Sequence, residues 1–247
     1  MSLSKIRENA RKALTGKWGK GALIVLAYLA FYFMFGFIDG LLGEPVFMDI
    51  VSIIIDVPIS FGLIYAFIKL IKNEEIYSFD FVRLGFSNFG RSWRINLTTL
   101  LKLILPIIVY IVGIYLISMS LASGIIGAMA GHTGETSIGL AILGYIVMIV
   151  ALVWLIIKSL LYSLTIYIAY DNPDMTAFEL VDESARLMKG NRGKLFLLEL
   201  SFIGWAILAV FTFGIGYLWL LPYMQVAFIC FYEHLTGKSN NDDTDLS

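Results

Sequence analysis

The sequence predicts an all-α, polytopic membrane protein with about six transmembrane helices and amphipathic interfacial helices before each helix pair. Two observations carry this expectation. Hydrophobic residues make up 59% of the 247-residue chain and charged residues 15%, with a mean hydropathy of +0.82, whereas a soluble domain runs to roughly 45–50% apolar and about 25% charged. The cations are also confined to alternate connections between apolar runs, which is how a multi-pass helical protein is laid out.

Taken in chain order, residues 1–20 are basic, with Leu3, Ile6, Ala10 and Leu14 on one helical face and Lys5, Arg7, Glu8, Arg11 and Lys12 around the rest. The apolar run 21–43 follows. It is too long for the core of a cleaved leader and lacks a small-x-small site, so it reads as a retained first span. Further spans are predicted at 47–71, 95–122, 138–168, 195–214 and 216–235. The second is polar at its start, the fourth is long enough to tilt or to leave the bilayer, and Phe213-Gly214-Ile215-Gly216 joins the last two as a tight hairpin.

Orientation follows from Lys and Arg. Lys5, Arg7, Arg11, Lys12, Lys17 and Lys20 precede the first span, Lys69 through Lys102 surround the second connection, and Arg186, Lys189, Arg192 and Lys194 precede the fifth span. The connections around 40–48, 123–137 and 214–216 hold none. Both termini are therefore expected in the cytoplasm, and the expected location is a bacterial cytoplasmic (inner) membrane.

Each pair of spans is preceded by a charged stretch of helical period. Thr176-Ala-Phe-Glu179 is a capping box, followed by a stripe of Phe178, Val181, Ala185 and Met188. The middle stretch, Phe79, Val82, Phe86 and Phe89, has the spacing but is interrupted by Gly85 and Gly90. Glu8-Asn-Ala10-Arg11 then Gly16-Lys-Trp-Gly19-Lys20 matches Glu183-Ser-Ala185-Arg186 then Gly190-Asn-Arg-Gly193-Lys194. An internal repeat is implied, dividing a single integral domain, 1–238, into modules 1–71, 72–168 and 169–236, with an acidic tail over 239–247. In a repeat, Gly16 and Gly190 should make the same turn.

Two sets of polar residues are candidates for function. Asp49, Ser52, Asp56 and Ser60 form one stripe on the second span, a polar path or ion site. Pro58 leaves the carbonyl of residue 54 without its helical donor close to Asp56. Lys5, Arg7, Arg11, Lys12, Arg186, Lys189, Arg192 and Lys194 would contact anionic headgroups at the inner interface. Gly36-x-x-x-Gly40 and Gly127-x-x-x-Gly131 have the spacing of close helix contacts. His132 and His234 are too far apart in this topology to share a metal, and the single cysteine, Cys230, reads as a core residue.

Catalytic motifs are missing. Leu121 stands before Ala122-Ser123-Gly124 where an intramembrane serine protease needs glycine, and Phe79 stands where Glu74-Glu75 would need a following arginine. In neither Gly-x-x-Gly-Lys corner does the spacing suit a phosphate loop, and Tyr232 replaces the first glycine before Gly237-Lys238-Ser239. No enzymatic activity, metal or cofactor is expected, and a net charge of −1 leaves no field for nucleic acid.

Leu187-Met-Lys-Gly-Asn-Arg-Gly-Lys-Leu-Phe196, Leu200-Ser-Phe-Ile-Gly-Trp205, Thr212-Phe-Gly-Ile-Gly-Tyr-Leu-Trp-Leu220, Pro222-Tyr223 and Phe231-Tyr232, with Ile6-Arg7 through Lys20, resemble a bacterial family of integral membrane proteins. It is catalogued as domain of unknown function 975. The resemblance implies a bacterial inner-membrane location and brings no activity or site. The expected function is that of a non-catalytic accessory, immunity or envelope component acting through lipids, a membrane-protein partner or self-association. The alternative is a small ion or metabolite transporter using the Asp56 stripe.

Overall fold

The computed structural model describes residues 2–42, 45–129 and 137–238. These form ten helices, with no strand among the described residues. In chain order they are α1 (Leu3–Leu14), α2 (Trp18–Leu42), α3 (Pro45–Ile71), α4 (Asp80–Ser87), α5 (Phe89–Met129), α6 (Ile138–Tyr162), α7 (Thr165–Asp171), α8 (Ala177–Met188), α9 (Arg192–Phe211) and α10 (Tyr217–Thr236). Among the described residues, five stretches are long and apolar enough to cross a membrane: Trp18–Ile38, Asp49–Ile71, Phe89–Ile126, Ile138–Asp171 and Arg192–Phe211. The segment expected as a sixth forms α10, which carries Pro222, Gln225, Glu233 and His234 and falls short of that composition. His132, Gly131 and the tail 239–247 lie outside the described residues.

The charged stretches fold as short helices, and their ends are set by local chemistry. The hydroxyl of Ser2 accepts from the Lys5 amide at the start of α1. Thr176 accepts from the Glu179 amide at the start of α8, and Glu179 reaches back to the Thr176 amide at 2.8 Å. Both helices stop at a type II turn. Thr15 (φ −58, ψ 125) and Lys189 (φ −64, ψ 116) are each followed by a glycine of positive φ, Gly16 at 76° and Gly190 at 85°. The turns close through Lys17 N–H to Leu14 O (2.8 Å) and Asn191 N–H to Met188 O (3.0 Å), and position i+2 of such a turn demands glycine.

The correspondence between α1 and α8 holds at one constant separation along the chain. It pairs Ser2 with Thr176, Gly16 with Gly190, and the first residues of the following helices, Trp18 and Arg192. The buried stripes keep the same register: Ile6, Ala10 and Leu14 in α1 answer to Leu180, Ser184 and Met188 in α8. Burial thus pairs Ala10 with Ser184, one residue away from the pairing that the matching Glu-x-Ala-Arg sequences suggest. A second constant separation relates α3 to α10. It pairs Pro58 with Pro222 and sets the positive φ of Asn73 (58°) against that of Gly237 (75°). Their amides close on Leu70 O and His234 O, both at 3.4 Å.

Each of these short helices buries one face against protein. α1 packs on α10, α4 on α3 and α8 on α7, so each short helix lies on the last helix of another pair. In α4 the packed residues are Phe81 and Gly85, leaving Phe79, Phe86 and Phe89 exposed, a rotation from the stripe that the spacing suggests. The reason is backbone proximity: a Cβ on Gly85 would lie 2.2 Å from Pro58 O, and one on Gly62 would lie 2.0 Å from Phe81 O. Gly85 is therefore a contact point between α4 and α3 rather than a break. In α8, likewise, Leu180 and Ser184 are buried while Phe178 is exposed.

The chain divides into two compact units. The first holds residues 1–96 and 164–247, and within it α3, α7 and α10 meet at their C-terminal ends. Asp171, at the end of α7, pairs with Lys238 (2.6 Å) and Lys72 (3.6 Å) and accepts from the Tyr232 hydroxyl (2.7 Å). Helix-end carbonyls are partial negative charges that attract cations. Lys17 donates to Ile71 O at the end of α3 (2.9 Å), and Arg91 donates to Ala169 O (3.2 Å), Asn172 O (2.7 Å) and Pro173 O around the end of α7. Burial lowers the Lys17 ammonium below the usual lysine value. Cys230 lies in the core of this unit, beside Ile229 and Phe231.

The second unit is residues 97–163, the hairpin of α5 and α6. Gly113 approaches the Met148 backbone and Gly144 approaches Ile117, so these glycines make the close crossing. A Cβ added at Gly36 or Gly40 would meet nothing within 4 Å, so that pair forms no close contact. The fourth predicted span is divided: α6 stops at Tyr162 and α7 begins at Thr165, with the Leu164 amide donating to the Ser184 hydroxyl (3.2 Å).

Candidate functional site

On α3 the predicted stripe is only partly gathered. Ser52 and Asp56 line a cavity of about 530 Å³ with Phe31, Tyr32, Phe35, Ile53 and Asn96. Asp49 and Ser60 are not among its lining residues, and the Ser60 hydroxyl turns onto its own helix, donating to Asp56 O (2.8 Å) and Val57 O (3.0 Å). The Asp56 carboxylate accepts from the Tyr32 hydroxyl, and the Tyr32 ring lies against Tyr28 at 4.8 Å. The carbonyl that Pro58 frees, Ile54 O, accepts from the Trp93 indole at 3.3 Å. Tyr32 and Trp93 had no signal of their own in the sequence, because each meets α3 only through the fold. A cation such as calcium needs six or more oxygen ligands, and this cavity offers one carboxylate already engaged by a phenol.

Among the cations predicted to face the inner interface, Lys5, Arg11, Lys12, Arg186, Lys189 and Lys194 are exposed, while Arg7 and Arg192 are half-buried. Two are occupied by neighbours on their own helix. Lys12 pairs with Glu8 (2.8 Å), and Arg186 grips both oxygens of Glu183 (2.6 and 2.7 Å). These bonds hold the Glu8 and Glu183 carboxyls below the ordinary glutamate range.

Arg7 and Arg11 are placed differently. They border a groove of about 610 Å³ between α1, the C-terminal half of α9 and the N-terminal half of α10, lined also by Trp18, Trp205, Leu208, Thr212, Trp219, Leu220 and Tyr223. Tyr223 ties the two helices together: its hydroxyl accepts from Arg11 Nη1 (3.2 Å) and donates to Arg7 O (3.4 Å), and its ring lies 6.3 Å from that of Trp18. The far wall is the α9–α10 turn, where Phe213 and Gly214 take positive φ and the Gly216 amide donates to the Thr212 hydroxyl (2.9 Å). The sequence marks the two arginines but not the groove, since Trp205 and Trp219 come beside them only through the packing of α1 on α10.

No curated protein matches the chain, and no solved structure matches it. A protein-family model described as "Protein of unknown function (DUF975)" matches residues 1–239. With nearly its whole length covered by that match, the chain belongs to the family of unknown function DUF975.

Proposed function

We propose that this protein is a non-catalytic, six-span component of the bacterial cytoplasmic membrane, with both termini in the cytoplasm, that works through anionic lipid and membrane-protein partners at the inner surface. The observation that carries this reading is the two-sidedness of α1 and α8. Their apolar stripes are buried in the protein, while Lys5, Arg11 and Lys12 of α1 and Arg186 of α8 are exposed. The constant separations relating α1 to α8 and α3 to α10 support an internal repeat of a short interfacial helix plus a two-span hairpin, with α10 as the sixth span. A polar helix of this kind is tolerated in a membrane when other helices cover it, and α1, α2, α3 and α9 pack on α10.

Because the stripe of α1 is occupied by α10, attraction to lipid must come from charge, and each Lys or Arg near an anionic surface is worth about 1 kcal/mol. Full-length protein reconstituted in mixed bilayers should enrich anionic over zwitterionic lipid in its immediate shell, and the enrichment should fall as salt shortens the screening length. Equal occupancy by both lipid types at low salt would overturn the reading.

A transporter reading has one observation in its favour, the cavity that brings Asp56, Ser52 and Asn96 together. It requires that Asp56→Asn abolish a cation or proton flux in proteoliposomes while leaving folded protein intact. A flux that survives this substitution removes Asp56 from any transport path.

A further inference from the structure

We infer that the groove between α1, α9 and α10 is a site for one anionic phospholipid, its phosphate held by Arg7 and Arg11 and one acyl chain lying along Trp205, Leu208 and Trp219. Charge complementarity selects the headgroup. The groove's lining carries two guanidinium groups and no carboxylate. Arg11 is bonded to a neutral phenol, and neither arginine is ion-paired among the described residues. Guanidinium forks match phosphate oxygens in geometry as well as charge.

The rest of the groove selects a tail. Beyond Tyr223 the lining turns apolar toward the α9–α10 turn, and Trp205, Leu208 and Trp219 are 59%, 57% and 50% exposed in the chain alone. A soluble anion would leave these surfaces uncovered, whereas a lipid covers them. The volume lies within the roughly 300–1,000 Å³ of small-ligand sites. The proposal deepens the inner-surface lipid reading and rests on it.

The test is native mass spectrometry of the full-length protein in non-ionic detergent, titrated separately with phosphatidylglycerol, phosphatidylcholine and inorganic phosphate. One phosphatidylglycerol per chain should bind at least tenfold more tightly than phosphatidylcholine, and phosphate alone should not displace it. Arg7→Gln with Arg11→Gln should abolish that preference, whereas Arg83→Gln with Arg94→Gln, removing the same charge near α4, should leave it. Leu208→Trp, at an exposed position, should block the lipid while keeping every charge, which covers the case in which the arginine variant does not fold. Equal losses in both double variants would leave a diffuse attraction and overturn the site alone. Displacement by phosphate, or binding unaffected by Leu208→Trp, would also overturn the site. No preference for phosphatidylglycerol in the unaltered protein would overturn both the site and the lipid reading beneath it.

Discussion

Gly62→Ala should destabilise the protein by roughly 2–4 kcal/mol, because the added methyl has nowhere to go. Its Cβ would sit 2.0 Å from Phe81 O, 2.6 Å from the Gly85 amide nitrogen and 2.9 Å from Gly85 Cα. All three are backbone atoms, so no rotamer change relieves the clash and α4 must lift from α3. Lifting it uncovers Phe81, which is fully buried and meets the rings of Tyr28 and Phe31 edge-on at 5.9 and 6.3 Å. Opposing this is the helix propensity gained on replacing glycine, at most about 1 kcal/mol. Gly36→Ala supplies the control, since its Cβ meets nothing within 4 Å and should be neutral or slightly stabilising. Thermal unfolding in one detergent compares the two. If Gly62→Ala melts at or above Gly36→Ala, the close approach of α3 and α4 is wrong.

Asp171→Asn should cost about 2 kcal/mol, below the 3–5 kcal/mol of breaking a fully buried pair because its lysine partners are partly solvated. The Asp171 side chain is 13% exposed, while Lys72 and Lys238 are 41% and 51% exposed. Asparagine keeps an oxygen to accept from Tyr232, so the change isolates the charge. What remains is two cations facing the C-terminal ends of three helices with their shared carboxylate removed. Removing a cation as well should recover part of the loss, so Lys238→Met is expected to cost less in the Asp171→Asn background than alone. Additivity of the two substitutions within about 0.5 kcal/mol would show that the pair is not coupled. Raising the ionic strength should narrow the gap between Asp171→Asn and the unaltered protein, since screening weakens attraction in the latter and lysine repulsion in the former.

The sequence by itself determined the ends of α1 and α8 and five of the six stretches expected to span, because those signals are local. Ser2 and Thr176 lie within hydrogen-bonding reach of amides three residues on, and Gly16 and Gly190 take a backbone conformation costly for other residues. The all-helical fold and the matched turns could therefore be read before any contact was known. Tertiary structure alone decided what each face meets. Helical period places Ile6, Ala10 and Leu14 on one side but is silent on whether lipid or α10 covers them. The rotation of α4 was hidden because glycine reads as a helix breaker in sequence, whereas Gly85 permits the approach of a second backbone. The carbonyl freed by Pro58 could be located, but its donor, Trp93, lies 39 residues away. The same limit applies to the candidate site: Arg7 and Arg11 announce themselves one turn apart, yet the wall that gives them a groove comes from α9 and α10. Local hydrogen bonds and steric limits act over a few residues and are written in order along the chain. Packing joins residues hundreds of positions apart, so the partner of each face emerges only when the helices have closed on one another.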